Sequence, residues 1–284
     1  MTQMEIRNLE NVGFDMLFRG FERAFCDYEI HFDKDEVRSM LQRRGYNPKL
    51  SFAVFVKGEI VAFTLNGTGI YNGIPTAYDT GTGTVKEYRG QSLAGDIFTH
   101  SIPFLKDAGI AQYLLEVLQN NEKAIAVYRR LNFEVSREFD CFRQAIGKIA
   151  NHGINGDCMV ERVSVDCIRQ AQHYCDFIPS WQNGIDSIER GISELSCFGA
   201  FIDGNMAGFC VADLHTGDLT QIAVQNEYRR SGIASCLLKE VVSHMHTDFV
   251  KVLNVGSGNQ GMSAFLQSKN IPLASKQYEM LLRF

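Results

Sequence analysis

The sequence predicts a mixed α/β chain built from two tandem domains, and three observations carry that prediction. A short basic turn occurs twice, as "EYRGQSLA" (87–94) and as "EYRRSGIA" (227–234). A hairpin signature precedes each copy, "AVFVKGEIVAF" (53–63) and "GAFIDGNMAGF" (199–209). The length of 284 residues suits two ordinary domains.

The elements follow in the same order in both halves. "FDMLFRGFERAF" reads as a helix ahead of the first hairpin. Lys57-Gly58 and Asp203-Gly204 sit between apolar runs, the chemistry of a two-residue hairpin turn. The first half has about six more residues before its basic turn. They fall in "GIYNGIPTAYD" (69–79), expected as a longer hairpin loop. A strand, "TAYDTGTGTV" or "GDLTQIAV", then runs into the basic turn, and a helix follows. Ile233, Leu237, Leu238, Val241, Val242 and Met245 share one face of the second copy. Leu93, Ile97, Phe98, Ile102 and Leu105 do so in the first, where Pro103 is expected to kink the helix. Apolar strands "QYLLEV" and "VKVLNV" come next, then a second helix opened by Asn121 or Asn259. The Gly- and Asn-rich "GKIANHGINGD" (147–157) reads as a linker, giving domains over 1–146 and 158–284.

Composition narrows the function classes. With 45 % hydrophobic and 21 % charged residues the chain can bury a real core. Five prolines and no low-complexity run speak against long disordered stretches. The start, "MTQMEIRNLENVGF", lacks the pattern of a secretion signal, and no apolar run reaches the roughly 20 residues a membrane span needs. Eight cysteines without metal-ligand spacing read as free thiols in a reducing cytoplasm, with no metal expected. A net charge of −5 disfavours a nucleic-acid partner and leaves room for local basic turns that hold a small anion.

A strand that ends in Arg-x-x-small-x-Ala and passes directly into a helix gathers backbone N–H groups into one concavity. The first N–H groups of a helix lack internal partners, and its dipole adds positive character there, so such a nest suits a pyrophosphate. Small residues let the anion approach: Gly90, Ser92 and Ala94 in one copy, Gly232 and Ala234 in the other. A solvated helix cap is the plain alternative.

Arg229-x-x-Gly232-x-Ala234 resembles the acyl-CoA pyrophosphate loop of the GCN5-related N-acetyltransferase superfamily. "LEVLQNNEKAIAVYRRLNF" (115–133) is similar to its second signature, with Asn132 where Gly is usual before Phe133. The resemblance covers roughly residues 50–140 and 195–282. It implies a mostly antiparallel sheet with one parallel pair splayed around a pantetheine arm, and acetyl-CoA as cofactor. It assigns cofactor contacts to Thr84, Val85, Arg89, Gly90, Gln91, Ser92, Leu93, Ala94, Asn121 and Ala124. In the second copy these are Val224, Gln225, Arg229, Arg230, Ser231, Gly232, Ile233, Ala234 and Asn259. A bulge near Gly81 and Gly83 would aim an amide at the thioester carbonyl.

Acyl transfer to an amine needs a base for the amine proton and an acid for the departing thiolate. The subgroup that acetylates N-terminal alanines of ribosomal proteins places a Glu and a Tyr at two motif positions. Here those are Glu116 as base and Tyr128 as acid, against plain readings as a strand-end acceptor and a core aromatic. Asp79 ranks lower, because strand alternation sets it opposite Tyr78 and Thr80. In the second half Asn254 and Leu266 replace the pair, leaving Asp218 as a weaker candidate base. In "PSWQNGIDSIER" (179–190), either Trp181 and Asn183 help wall an acceptor pocket, or Ser180 caps a helix whose Trp181 and Ile185 face the core. The expected function is acetyl transfer from acetyl-CoA to a small-molecule amine or a peptide N-terminus, with the chemistry in the first domain. The rival is an acyl-CoA-binding regulatory or dimerisation module, and a homodimer is among the open oligomeric states.

Overall fold

The computed structural model describes residues 4–27 and 32–284. Residues 1–3, the start of the segment expected to lack a secretion signal, lie outside that range. The chain divides into two compact units, Met1–Ser136 with Glu279–Phe284, and Arg137–Tyr278.

The first unit begins with β1 (Met4–Asn8), α1 (Phe14–Phe25), α2 (Lys34–Arg43), β2 (Phe52–Val56) and β3 (Glu59–Tyr71). It continues with β4 (Ile74–Thr84), α3 (Leu93–Asp107), β5 (Gln112–Leu118) and α4 (Glu122–Arg130). β6 (Glu134–Ala145) leads into the second unit, which holds β7 (Met159–Arg162), α5 (Val165–Gln170), α6 (Ile185–Arg190), β8 (Ser196–Ile202), β9 (Asn205–Asp213) and β10 (Asp218–Val224). α7 (Ile233–His244), β11 (Phe249–Gly256), α8 (Gln260–Ser268) and β12 (Leu273–Arg283) complete the chain.

Local chemistry explains most of these boundaries. Lys57 and Gly58, like Asp203 and Gly204, adopt the left-handed backbone that a two-residue hairpin turn requires. Asp33 caps α2 in a reciprocal box with Glu36. Asn121 and Asn259 cap α4 and α8 by accepting from the N–H groups of Ala124 and Met262. α3 runs on through Pro103 as one helix.

One expectation changes. The extra residues of the first half do not form a longer loop. Asn72 and Gly73, at φ 51° and 78°, make another tight turn, and the insertion lengthens β3 and β4 to 13 and 11 residues. Alternation continues through the added residues, so pairing satisfies more backbone than a loop would.

Each unit has a mixed sheet. Strand order is β1-β2-β3-β4-β5 and then the end of β12 in the first, and β6-β11-β10-β9-β8-β7 in the second. β4 pairs with β5 in parallel, as β10 does with β11, and the antiparallel pairs lie around them. Parallel pairing covers only Thr76–Tyr78 on β4 and Asp218 on β10, after which both pairs splay, as the resemblance implied. The units divide at residues 136 and 278 rather than at the linker, because β6 pairs with β11 and β12 ends in the first unit. There Ser136 Oγ donates to Glu279, and the Phe284 N–H donates to Ala111 O.

In the first unit, Leu17, Phe21, Val37 and Leu41 of α1 and α2 pack on Ala53, Phe55, Phe63 and Leu65. Leu93 and Ile97 of α3 cover Val54, Val61 and Ala62 on the opposite face. Gly67 lies where β3 passes the chain after α2, and a Cβ there would overlap the carbonyl oxygen of Arg44. Gly67→Ala is therefore expected to cost about 3 kcal/mol, read as a loss of denaturation midpoint.

Candidate functional site

Both basic turns fold as the sequence suggested. Gly90 and Ser92 have φ 80° and 60°, and Arg230 and Gly232 have φ 65° and 89° at the matching positions. Alternate left-handed residues in such a turn direct successive N–H groups to one side, a nest-like geometry that suits an anion at the start of a helix. Each copy places one glycine and one non-glycine in this strained pair. Leu93 and Ile233 anchor the helices by burying their side chains in the cores, so they have only backbone to offer a ligand.

The arginines that open the turns act as clamps. Arg89 Nε donates to Thr84 O, and its terminal nitrogens bind Ala24 O and both oxygens of Asp27. Asp27 is drawn down to about 2 by that hydrogen-bonded guanidinium. Arg229 repeats the arrangement with Val224 O, Tyr174 O and Asp176. These guanidiniums tie the turn to the preceding helical segment. The backbone of Val85 and Gln225 also has internal partners, and Asn121 and Asn259 serve as caps. Asp27 and Asp176, each two residues past a leading helical segment, are the signal in the sequence that could have pointed to the clamp.

The nests differ in their surroundings. A Cβ built on Gly90 meets nothing within 4 Å, so the first nest opens outward. A Cβ on Gly232 would lie 2.6 Å from Gly153 O and 2.9 Å from Asn155 N, because the segment expected as a linker lies against the second turn. Cys236 Sγ of α7 donates to Asn155 O at 3.4 Å, and Lys269 Nζ donates to His152 O.

At the splay of the first unit, a bulge reorganises β4. Asn66 pairs with Asp79 and Leu65 with Gly81, so Thr80 is the extra residue. The bulge falls just ahead of its expected place. The Gly81 amide donates to Asp79 Oδ1 at 2.9 Å rather than remaining available for a thioester. Gly83 has a packing role: a Cβ there would press on Phe63, Ala24 and Phe25. The extra residue also brings Thr82 onto the face of Asp79, and its hydroxyl donates to Asp79 Oδ2 at 2.8 Å.

Two pairs of groups flank this splay. Tyr78 OH donates to Glu116 Oε2 at 3.2 Å on one face of the sheet. Burial, and then the negative charge of Glu116, push the Tyr78 phenol well above its usual range, so it stays a donor. On the other face Tyr128 OH donates to Asp79 Oδ2 at 3.4 Å. Alternation does place Asp79 opposite Tyr78, but the consequence is a meeting with Tyr128 that sequence spacing did not reveal.

In the second unit a cavity of about 500 Å³ opens between β10 and β11. Its wall is mainly apolar, with Leu219, Ile222, Val252, Met262 and Phe265, and Asn183 and Gln221 add polar groups. Asn183 Nδ2 donates to Leu253 O, and Gln221 Nε2 donates to Asn183 O. Asn183 lies in the wall of this cavity and Trp181 does not, and both side chains are buried. Ser180 stands at the start of a 3-10 turn, Trp181–Asn183, without a side-chain capping bond, and its hydroxyl accepts from Asn254 Nδ2. Leu266 lies in the core, and Asp218 Oδ2 accepts from Thr220.

A sequence model of the acetyltransferase (GNAT) family matches residues 16–133 and 168–269. The chain belongs to the GNAT family. Both matched stretches contain a splayed parallel pair and a basic turn, so the membership is tandem. Among curated relatives, N-alpha-acetyltransferase MAK3 of Arabidopsis thaliana is 30% identical over 86 residues. That match takes in 30% of this chain and 45% of the relative, so the chain spans under half of the relative's length. The fold resembles a GCN5-related N-acetyltransferase from Sphaerobacter thermophilus, with TM-score 0.74 and 12% identity, over 99% of this chain and 95% of that one. A tandem GNAT protein from the clavulanic acid biosynthesis pathway gives TM-score 0.74 and 11% identity, over 99% and 98% of the two chains. No helix among the described residues is long and apolar enough to cross a membrane.

Proposed function

We propose that this GNAT chain moves an acetyl group from acetyl-CoA to an amine, with the chemistry in the first unit. The observation that carries the reading is the placement of Glu116 and Tyr128 on the two faces of a splay whose neighbouring nest is open. Acetyl-CoA supplies the thioester. The N–H groups at Gly90–Ala94 fit its pyrophosphate, and Thr84 lies along the path from that nest to the splay. Glu116, held by Tyr78, takes the proton of the attacking amine. Tyr128 gives a proton to the departing thiolate. The second unit has Asn254 and Leu266 at the corresponding positions and so lacks this means of moving protons.

The acceptor is a small-molecule amine or a peptide N-terminus. The name of the Arabidopsis relative, an N-alpha-acetyltransferase, favours the peptide. The eight free thiols favour a cytoplasmic setting.

A second reading has its own observation, the cavity beside the second nest: that unit binds acyl-CoA without turning it over. Calorimetric titration with acetyl-CoA separates the two. One site per chain, abolished by Ala94→Asp and kept in Ala234→Asp, is the expected result for a cofactor held only by the first unit. Two sites would mean that the second unit kept its ligand, and Asp218 would then deserve a test as base. Absence of binding sinks both readings.

A further inference from the structure

Asp79 has no part in the acid–base pair just described, yet it is the most elaborately held carboxyl at the splay. Gly81 N–H reaches one oxygen, and Thr82 and Tyr128 hydroxyls reach the other. The bulge at Thr80 makes this set possible, since in a regular strand residues 79 and 82 would face opposite ways. The surroundings are mostly aromatic. Tyr113 donates to Asn66, the residue paired with Asp79, and packs against Phe98 and Phe133. Phe133 lies in turn against Tyr128 at 5.6 Å.

A phenol has one proton. While Asp79 is a carboxylate, the Tyr128 proton points at Oδ2 and is turned away from any leaving group. When Asp79 is protonated the bond reverses, with the carboxyl donating to the phenol oxygen and the phenol proton free to face the splay.

We propose that Asp79 is a positioning residue that orients Tyr128 and returns its proton, so that acid catalysis in the first unit runs through an Asp79–Tyr128 relay. The inference rests on the acetyl-transfer reading above. As the C–S bond breaks with its electron pair on sulfur, the phenol proton moves to sulfur and the Asp79 proton moves to the phenol oxygen. Asp79 is left as a carboxylate and takes a proton from water before the next turnover.

The charges around Asp79 are compatible with this role. Burial, opposed by the donors from Thr82, Gly81 and Tyr128, raises the carboxyl to about 6. The cation acting on it is Arg44, which donates to Thr80 O and lowers the value by a smaller amount. Tyr113 lies on the same side, and Tyr78 feels the charge of Asp79 from the opposite face of the sheet, with Glu116 beyond it; burial holds both phenols neutral. The sign follows directly: the protonated form dominates below about 6 and falls roughly tenfold per pH unit above it. The relay therefore weakens as pH rises.

The test is kcat against pH, from thiol release at saturating acetyl-CoA and amine, for the unaltered protein, Asp79→Asn, Tyr128→Phe and the double variant. The unaltered protein should show a falling limb on the alkaline side. Asp79→Asn keeps a donor to the phenol but cannot lose a proton, so that limb should vanish and kcat at pH 6 should fall about tenfold. KM for acetyl-CoA should stay within about twofold, and the double variant should be no worse than Tyr128→Phe, as for residues acting as a unit. An unmoved limb in Asp79→Asn, or losses that multiply, overturns the relay. A second measurement needs no turnover: the carboxyl carbon signal of labelled Asp79, identified by its loss in Asp79→Asn. It should titrate near pH 6 and shift its midpoint in Tyr128→Phe. Thiol release with an Asp79 signal insensitive to Tyr128 sinks the relay alone. No turnover in the unaltered protein, with a Tyr128-sensitive signal, sinks the functional reading and the relay's catalytic role with it.

Discussion

Tyr128→Phe is expected to lower kcat by about 100-fold or more while leaving acetyl-CoA affinity within about twofold. The substitution keeps the ring and its contact with Phe133, so lost packing is a poor explanation for such a fall. Glu116→Gln should reduce kcat by a similar factor. Glutamine still accepts from Tyr78 but cannot take a proton, so its defect should shrink at high pH, where more of the amine is already neutral. Steady-state thiol release across pH 6–10, with acetyl-CoA affinity measured separately, checks both. A fully active Tyr128→Phe would remove the first-unit mechanism.

A chain that stops at residue 278 is expected to lose the stability of its first unit while the second remains folded. Residues 279–284 complete the first sheet beside β5. Met280 is fully buried, Glu279 is bonded to Ser136, and the Phe284 N–H reaches Ala111. Burying a methionine contributes about 1.5–3 kcal/mol, and each hydrogen bond about 1 kcal/mol. Together these come to about 4 kcal/mol, a large share of the whole stability of a small domain. Hydrogen exchange by mass spectrometry gives the readout: amides of β4 and β5 should lose protection, and those of β9 and β10 should keep it. Unchanged protection in β5 would show that the terminal residues contribute little.

Much of this fold could be read locally. Lys57-Gly58 and Asp203-Gly204 are turns because few other pairs tolerate two left-handed residues in succession. Asn121 and Asn259 start helices because a short side-chain oxygen satisfies an orphaned amide. The insertion in 69–79 was harder, since a two-residue turn inside a longer strand and a longer loop share the same Gly and Asn signals.

The site divides along the same line. The two nests were visible from small residues between a strand and a helix. The meeting of Tyr128 with Asp79 was not, because it depends on the packing of α4 against the splay, and the hold of Thr82 on Asp79 depends on the one extra residue at Thr80. The clamps from Arg89 to Asp27 and from Arg229 to Asp176 were hidden for a similar reason, as guanidiniums in an anion loop are easily read as ligand groups.

By itself, then, the sequence determined a duplicated unit of hairpin, strand, basic turn and helix, because turn chemistry and side-chain periodicity act over a few residues. Tertiary structure alone decided which unit each closing strand joins, which carboxyl meets Tyr128, and that residues 153–155 lie against the second nest. Those outcomes depend on pairing register and on contacts between residues far apart in the chain, which local propensity does not encode.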